Sequence, residues 1–167
     1  MPHLLVSQLR FARSEFVRGL ESVSAEDAVR RITPMNSISW IIGHMASQEN
    51  GYWVYLGQGQ RLFPELRQQV GFGMPASTPP LVDMWAAWRT ITAAADPYLE
   101  SLTSEKLESY FLRDGKPLSE NIGTLLMRNL YHYWYHLGEA LAIRQMLGHP
   151  DLPQFVGEIN QAPYQKE

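Results

Sequence analysis

Residues 129–148 of the chain read Asn-Leu-Tyr-His-Tyr-Trp-Tyr-His-Leu-Gly-Glu-Ala-Leu-Ala-Ile-Arg-Gln-Met-Leu-Gly. Apolar residues recur three and four apart, the spacing of one helix face. His132 and His136 stand four apart in this run and project from the same side, where two imidazoles can offer nitrogens to one ion without distorting the backbone. Two ligands are too few for a protein metal site, so a third is expected from elsewhere. His44 is the candidate, within a second apolar stretch at residues 39–53, Ser-Trp-Ile-Ile-Gly-His-Met-Ala-Ser-Gln-Glu-Asn-Gly-Tyr-Trp. A single histidine on an apolar face is more often a hydrogen-bonded core residue than a ligand; the pair on one helix changes that weighting.

Outward from these two stretches the helical period continues. Residues 4–20 place Leu5, Leu9, Ala12, Phe16 and Leu20 on one face, with Arg10, Arg13, Glu15 and Arg18 mostly on the other, which predicts a first helix. Residues 22–37 read as a polar connection in which Ser24 caps a short helix. A second long helix is expected from Ser37 or Ser39 to about Leu56, with Trp40, His44, Ser47, Gly51 and Val54 sharing a face. Residues 57–80, rich in glycine and proline, read as a long surface crossover, which lets consecutive helices of a bundle run parallel and can cover a site. The third long helix begins near Pro80 with Thr78 as its cap and carries Leu81, Met84, Trp85, Trp88, Ile91 and Ala95 at helical spacing; Pro97 is expected to kink or interrupt it. Residues 107–118 read as a small hairpin around Asp114-Gly115. Ser119 is the expected cap of the last long helix, whose stripe of Ile122, Leu125, Leu126, Asn129, Tyr133, His136, Ala140, Ile143 and Leu147 runs to Gly148. The tail from His149, with the apolar pair Phe155-Val156, reads as surface loop.

These elements predict an all-α fold, a four-helix bundle forming a single domain over residues 1–167, in which metal sites are built from side chains of facing helices. With 45% hydrophobic and 19% charged residues the composition is that of a globular chain. Cysteine is absent, which removes disulfides, thiolate ligands and a cysteine nucleophile, so that any thiol chemistry needs a thiol from outside. The net charge of −3, with basic residues scattered, gives no electrostatic footprint for nucleic acid and no polybasic membrane patch. The first residues lack a signal-peptide pattern and no apolar run approaches a membrane span, so a cytoplasmic location and a small-molecule partner are expected.

Residues 36–53 and the run His132-Tyr-Trp-Tyr-His-Leu-Gly-Glu139 resemble the two signature helices of the DinB/YfiT-like superfamily, and the resemblance extends over nearly the whole chain. It implies a four-helix bundle, often a homodimer, holding one divalent metal ion through a histidine of the second helix and an H-x-x-x-H pair of the fourth. Those positions match His44, His132 and His136. A glutamate often follows the helix-two histidine in such proteins and Glu49 matches it, but five residues place Glu49 about 140° around the helix from His44. It is a poor ligand, expected instead at a dimer contact or in a supporting role. The family's last motif commonly reads His-x-Gly-Gln, and Glu139 stands here in place of the glutamine. Arg144 is expected as a solvated or interhelical charge, Trp40, Trp53, Trp85, Tyr133 and Trp134 as core and dimer packing, and His3 and His149 as exposed and incidental.

Three neutral histidines leave a coordination position open, as catalytic zinc sites do. The resemblance implies relatives that are transferases and isomerases using bacillithiol, mycothiol or glutathione. The first functional expectation is therefore a metal-dependent thiol S-transferase in detoxification or stress response; the alternative is a non-catalytic dimeric module that binds metal or a small ligand. Histidine ligands suit zinc, nickel or iron alike.

Overall fold

The computed structural model describes residues 2–154 and 156–164. Four long helices carry the core: α1 (Leu4–Leu20), α3 (Ile38–Glu49), α5 (Leu81–Glu100) and α7 (Ile122–Met146). Shorter helices α2 (Ala25–Val29), α4 (Leu66–Val70) and α6 (Ser104–Glu108) lie in the connections, and a 3-10 turn spans Ile159–Gln161. Among the described residues the fold is all-α apart from one hairpin of two-residue strands, β1 (Leu112–Arg113) against β2 (Lys116–Pro117). Asp114 and Gly115 at its tip both have positive φ, 52° and 74°, as a tight turn of that hand requires.

Helix α1 packs on α7, α3 on α5 and α3 on α7. The predicted stripes are the buried faces: Leu9, Ala12, Phe16 and Leu20 of α1, Met84, Trp85, Trp88, Ile91 and Ala95 of α5, and Leu125, Leu126, Tyr133, Ala140 and Ile143 of α7 join one apolar cluster. Each large side chain taken fully from water there contributes about 1.5–3 kcal/mol. Ser24 caps α2 as expected, accepting from the Asp27 backbone N–H at 3.1 Å.

Several local expectations are corrected. The last helix is capped by Asn121, whose side chain accepts from the Thr124 N–H at 2.8 Å, not by Ser119. Asparagine caps as well as serine does and stands directly before Ile122, while Glu120 is drawn into an ion pair with Arg128. Thr78 does not cap α5; Pro79 and Pro80 intervene, and Pro80 holds the cap position with no side-chain bond. Nor does Pro97 interrupt that helix, which continues unbroken to Glu100. The lost hydrogen bond would have gone to the carbonyl of Ala93, and both residues lie on the exposed face, where water can replace it. The second long helix does reach Leu56, but its last part, Asn50–Leu56, is π-helical. The crossover at 57–80 is not bare loop, since α4 within it packs on α3. Two of the charges expected outside α1, Arg13 and Glu15, are buried. His3 caps α1, accepting from the Leu5 N–H at 3.2 Å, and His149 is not exposed but bonds Arg144 at 3.1 Å. Of the tail's apolar pair, Val156 is half-buried and Phe155 lies outside the described residues.

Candidate metal centre

His44 lies one turn beyond Trp40 on α3, and the two rings stack with centroids 4.5 Å apart. Gly43 beside it lets neighbouring elements close on the helix: a Cβ there would run into the Met84 sulfur and lie 3.2 Å from the Val70 methyls. That close approach puts the end of α4 against the histidine. Nδ1 of His44 is 2.8 Å from the backbone carbonyl of Val70. A carbonyl only accepts, so Nδ1 carries the proton and Nε2 keeps its lone pair.

The same assignment for His132 follows from a chain of bonds that begins at an indole. Trp53 Nε1–H, which can only donate, bonds Asn129 Oδ1 at 2.8 Å. This fixes the asparagine amide, whose Nδ2–H donates to Gln48 Oε1 at 2.9 Å. That oxygen is also 2.7 Å from His132 Nδ1, which must therefore donate. Nε2 is again the free nitrogen. In His136 the Nδ1–H donates to the Glu139 carboxylate at 2.7 Å, leaving Nε2 once more. A carboxylate on the far nitrogen of a histidine orients the ring and raises its basicity toward a metal.

One ring nitrogen of each histidine lies within 4.8 Å of one of each other histidine. The ring centroids are 5.0, 5.1 and 4.4 Å apart for the pairs 44–132, 44–136 and 132–136. Burial, then the neighbouring imidazoles, pushes His132 down to about 3, and burial lowers His44 as well, so both are neutral lone-pair donors near neutral pH. Three imidazoles with their Nδ1 atoms committed to acceptors and Nε2 left over are a donor set that fits a divalent ion, and the set could hold one.

The family model of the DinB superfamily matches residues 8–140. The chain belongs to the DinB superfamily. Among solved structures it is similar to a conserved protein from Enterococcus faecalis, at 15% identity and a TM-score of 0.66, over 87% of this chain and 96% of that one; the likeness is one of fold. No curated protein matches the chain.

The structure of this DinB-superfamily chain brings together the spaced pair His132 and His136 and the third candidate, His44, and the helical angle kept Glu49 away from them. Glu49 is, however, neither at a surface nor next to a histidine. It is fully buried, ion-paired with Arg13 and accepting from the Tyr133 hydroxyl at 2.6 Å. Arg13 also pairs with Asp96 at 2.7 Å, and Trp88 Nε1–H donates to the Tyr133 oxygen at 2.9 Å. Arg144 is interhelical, donating to the Gly19 carbonyl at the end of α1. Gln48 and Asn129 were missed as supports, although Gln48 follows His44 by four and Asn129 precedes His132 by three, the spacings of a shared helix face. A cleft of about 900 Å³ opens beside the cluster, with His44 and His132 in its lining. Among the described residues, no helix is long and apolar enough to cross a membrane.

Proposed function

We propose that the protein is a divalent-metal-dependent thiol S-transferase, with His44, His132 and His136 as ligands through Nε2. One observation carries the reading: the metal-ligating cluster among the described residues consists of these three histidines alone, and two of them line the open cleft. A structural site would be closed by a fourth protein ligand. A zinc, nickel or iron ion bound there would supply Lewis acidity, lowering the pKa of an incoming thiol. The chain's own part is orientation: Val70, Gln48 and Glu139 hold the three Nδ1 protons and aim the rings. Having no cysteine, the protein must take its nucleophile from solution. In the transfer the thiol sulfur bonds to an electrophilic carbon, the bond from carbon to its leaving group breaks, and the thiol proton departs with that group.

The accompanying reading is a cytoplasmic, single-domain protein acting in detoxification or stress response, and a homodimer. Dimerisation is supported by exposed apolar residues on one α7 stripe, Met127, Tyr131 and Tyr135, spaced by four. The test is to measure bound metal in the purified protein and to follow conjugation of glutathione, bacillithiol or mycothiol to a chlorinated aromatic or an epoxide, against His44→Ala. Metal-dependent turnover lost in the variant is expected. Equal rates with every thiol would favour a non-catalytic metal- or ligand-binding module.

A further inference from the structure

The cleft beside the histidines is positively charged in a chain whose net charge is −3. Arg67, Arg113 and Arg128 line it, against the single carboxylate of Glu120. Glu120 is taken: it receives both bonds of the Arg128 guanidinium, and no other arginine of the cleft reaches it within ion-pair distance. Arg67 and Arg113 are left with no carboxylate partner among the described residues, and neither guanidinium makes a hydrogen bond there. They come from two elements outside the long helices, α4 of the crossover and β1 of the hairpin. These elements bring charge to the same cleft as the histidines. The Tyr52 phenol, also in its lining, lies in the fields of Arg128, Glu120 and Arg113 together.

A guanidinium with unused N–H groups is a planar fork matched to an oxyanion, and two of them in one cleft favour a ligand with more than one negative charge. Phe72, almost wholly exposed at 94%, stands beside Gly71 in the same lining and adds an apolar contact for the ligand's carbon frame. We infer that the cleft recognises a small polyanionic thiol, its oxyanion groups held by Arg67 and Arg113 while its sulfur reaches the histidine cluster. The sulfur half rests on the reading above; the anion half stands on the two arginines alone.

Binding measured in two states of the full chain separates the halves. In metal-free protein, calorimetry with succinate and with inorganic phosphate probes the arginines without any thiol. Saturable binding of succinate assigns carboxylates and of phosphate assigns phosphoryl groups, either weakened roughly ten- to hundredfold in the Arg67→Gln/Arg113→Gln protein. Both arginines are exposed, so the double variant should fold, which its circular dichroism and melting confirm or refute. In cobalt-loaded protein, the thiolate-to-metal absorption band reports mercaptosuccinate and neutral 2-mercaptoethanol side by side. Mercaptosuccinate should bind at least about tenfold more tightly, an advantage lost in the double variant while mercaptoethanol is unchanged. No succinate or phosphate binding, or an unchanged affinity in the variant, overturns the inference. Absence of the band with every thiol, with anion binding intact, overturns the metal reading instead.

Discussion

Helices α3 and α7 each carry polar side chains into the interior on two sides, and the two sides are finished differently. On one, Glu49 and Tyr133 meet Arg13, Asp96 and Trp88, and every one of these groups has a hydrogen-bond partner. On the other, His44, His132 and His136 are bonded only through Nδ1, and three Nε2 atoms are left over. Neighbours in sequence divide between the two: His132 belongs to one group and Tyr133 to the other. The first set is closed on itself, as buried polar groups are; the second is not sealed, since His44 and His132 line the open cleft and lone pairs are left there that an ion could take. The charged network is complete within the fold; the histidine cluster could still take an ion.

The largest effect is expected on the closed side. Arg13→Ala leaves the Glu49 carboxylate buried without its ion pair, and breaking a buried pair in this way costs about 3–5 kcal/mol. Burial opposes the Arg13 charge, and Glu49 beside it more than restores it, raising the guanidinium above its ordinary range; the pairing is therefore strong in the folded state. Chemical denaturation should register the loss in metal-free and metal-loaded protein alike. A variant as stable as the parent would mean that the two sides do not differ in the way described.

His136→Ala should do the reverse. Removing one of three donors should lower metal affinity by more than the roughly 10–100-fold that loss of a supporting hydrogen bond costs, while metal-free stability falls far less than in Arg13→Ala. Dialysis against a mild chelator followed by metal analysis measures the first, and urea melts the second. Full occupancy in the variant would remove His136 from the site.

Acid should also distinguish the two regions in metal-free protein. His44 and His132 are lowered in the folded state by burial, His132 to about 3, whereas unfolded imidazoles titrate near ~6.5. Between those values the unfolded chain binds more protons, so this contribution to stability is complete above about 6.5 and declines as the pH falls toward 3. Replacing His132 with glutamine should flatten that decline. Denaturation midpoints at a series of pH values decide it.

How far the sequence anticipates this depends on how local each partner is. The histidine pair, the apolar stripes and the hairpin turn are visible because their spacing is set by one element's own period. Glu139, three residues from His136, was equally within reach of that reasoning; Gln48 and Asn129 share a face with a histidine, but their bonds cross between helices and join residues 81 and 84 apart. The Val70 carbonyl was out of reach: it is a backbone atom 26 residues from His44, delivered by a five-residue helix too short to leave a periodic signature. Arg13 is 36 residues from Glu49, and a charge on an amphipathic helix reads as solvated until its partner on another helix is known. The caps of α5 and α7 were each misplaced by two residues: before α7 several capping side chains stand close together, and before α5 two prolines follow Thr78.

The smallest effect should come from the residue where this chain departs from the His-x-Gly-Gln pattern. Glu139→Gln keeps an oxygen that can accept the His136 Nδ1 proton at the present 2.7 Å, so the ring's orientation and its free Nε2 are preserved. Only the negative charge is lost, and with it part of the basicity that a carboxylate lends to a metal-binding imidazole. A decrease in metal affinity of about tenfold or less is expected, with Glu139→Ala, which removes the acceptor, falling further within the 10–100-fold range. Competition titrations against a chromophoric chelator resolve differences of that size. If glutamine and alanine were equally damaging, the charge rather than the hydrogen bond would be what Glu139 contributes. If neither changed affinity, His136 would be oriented by its packing alone.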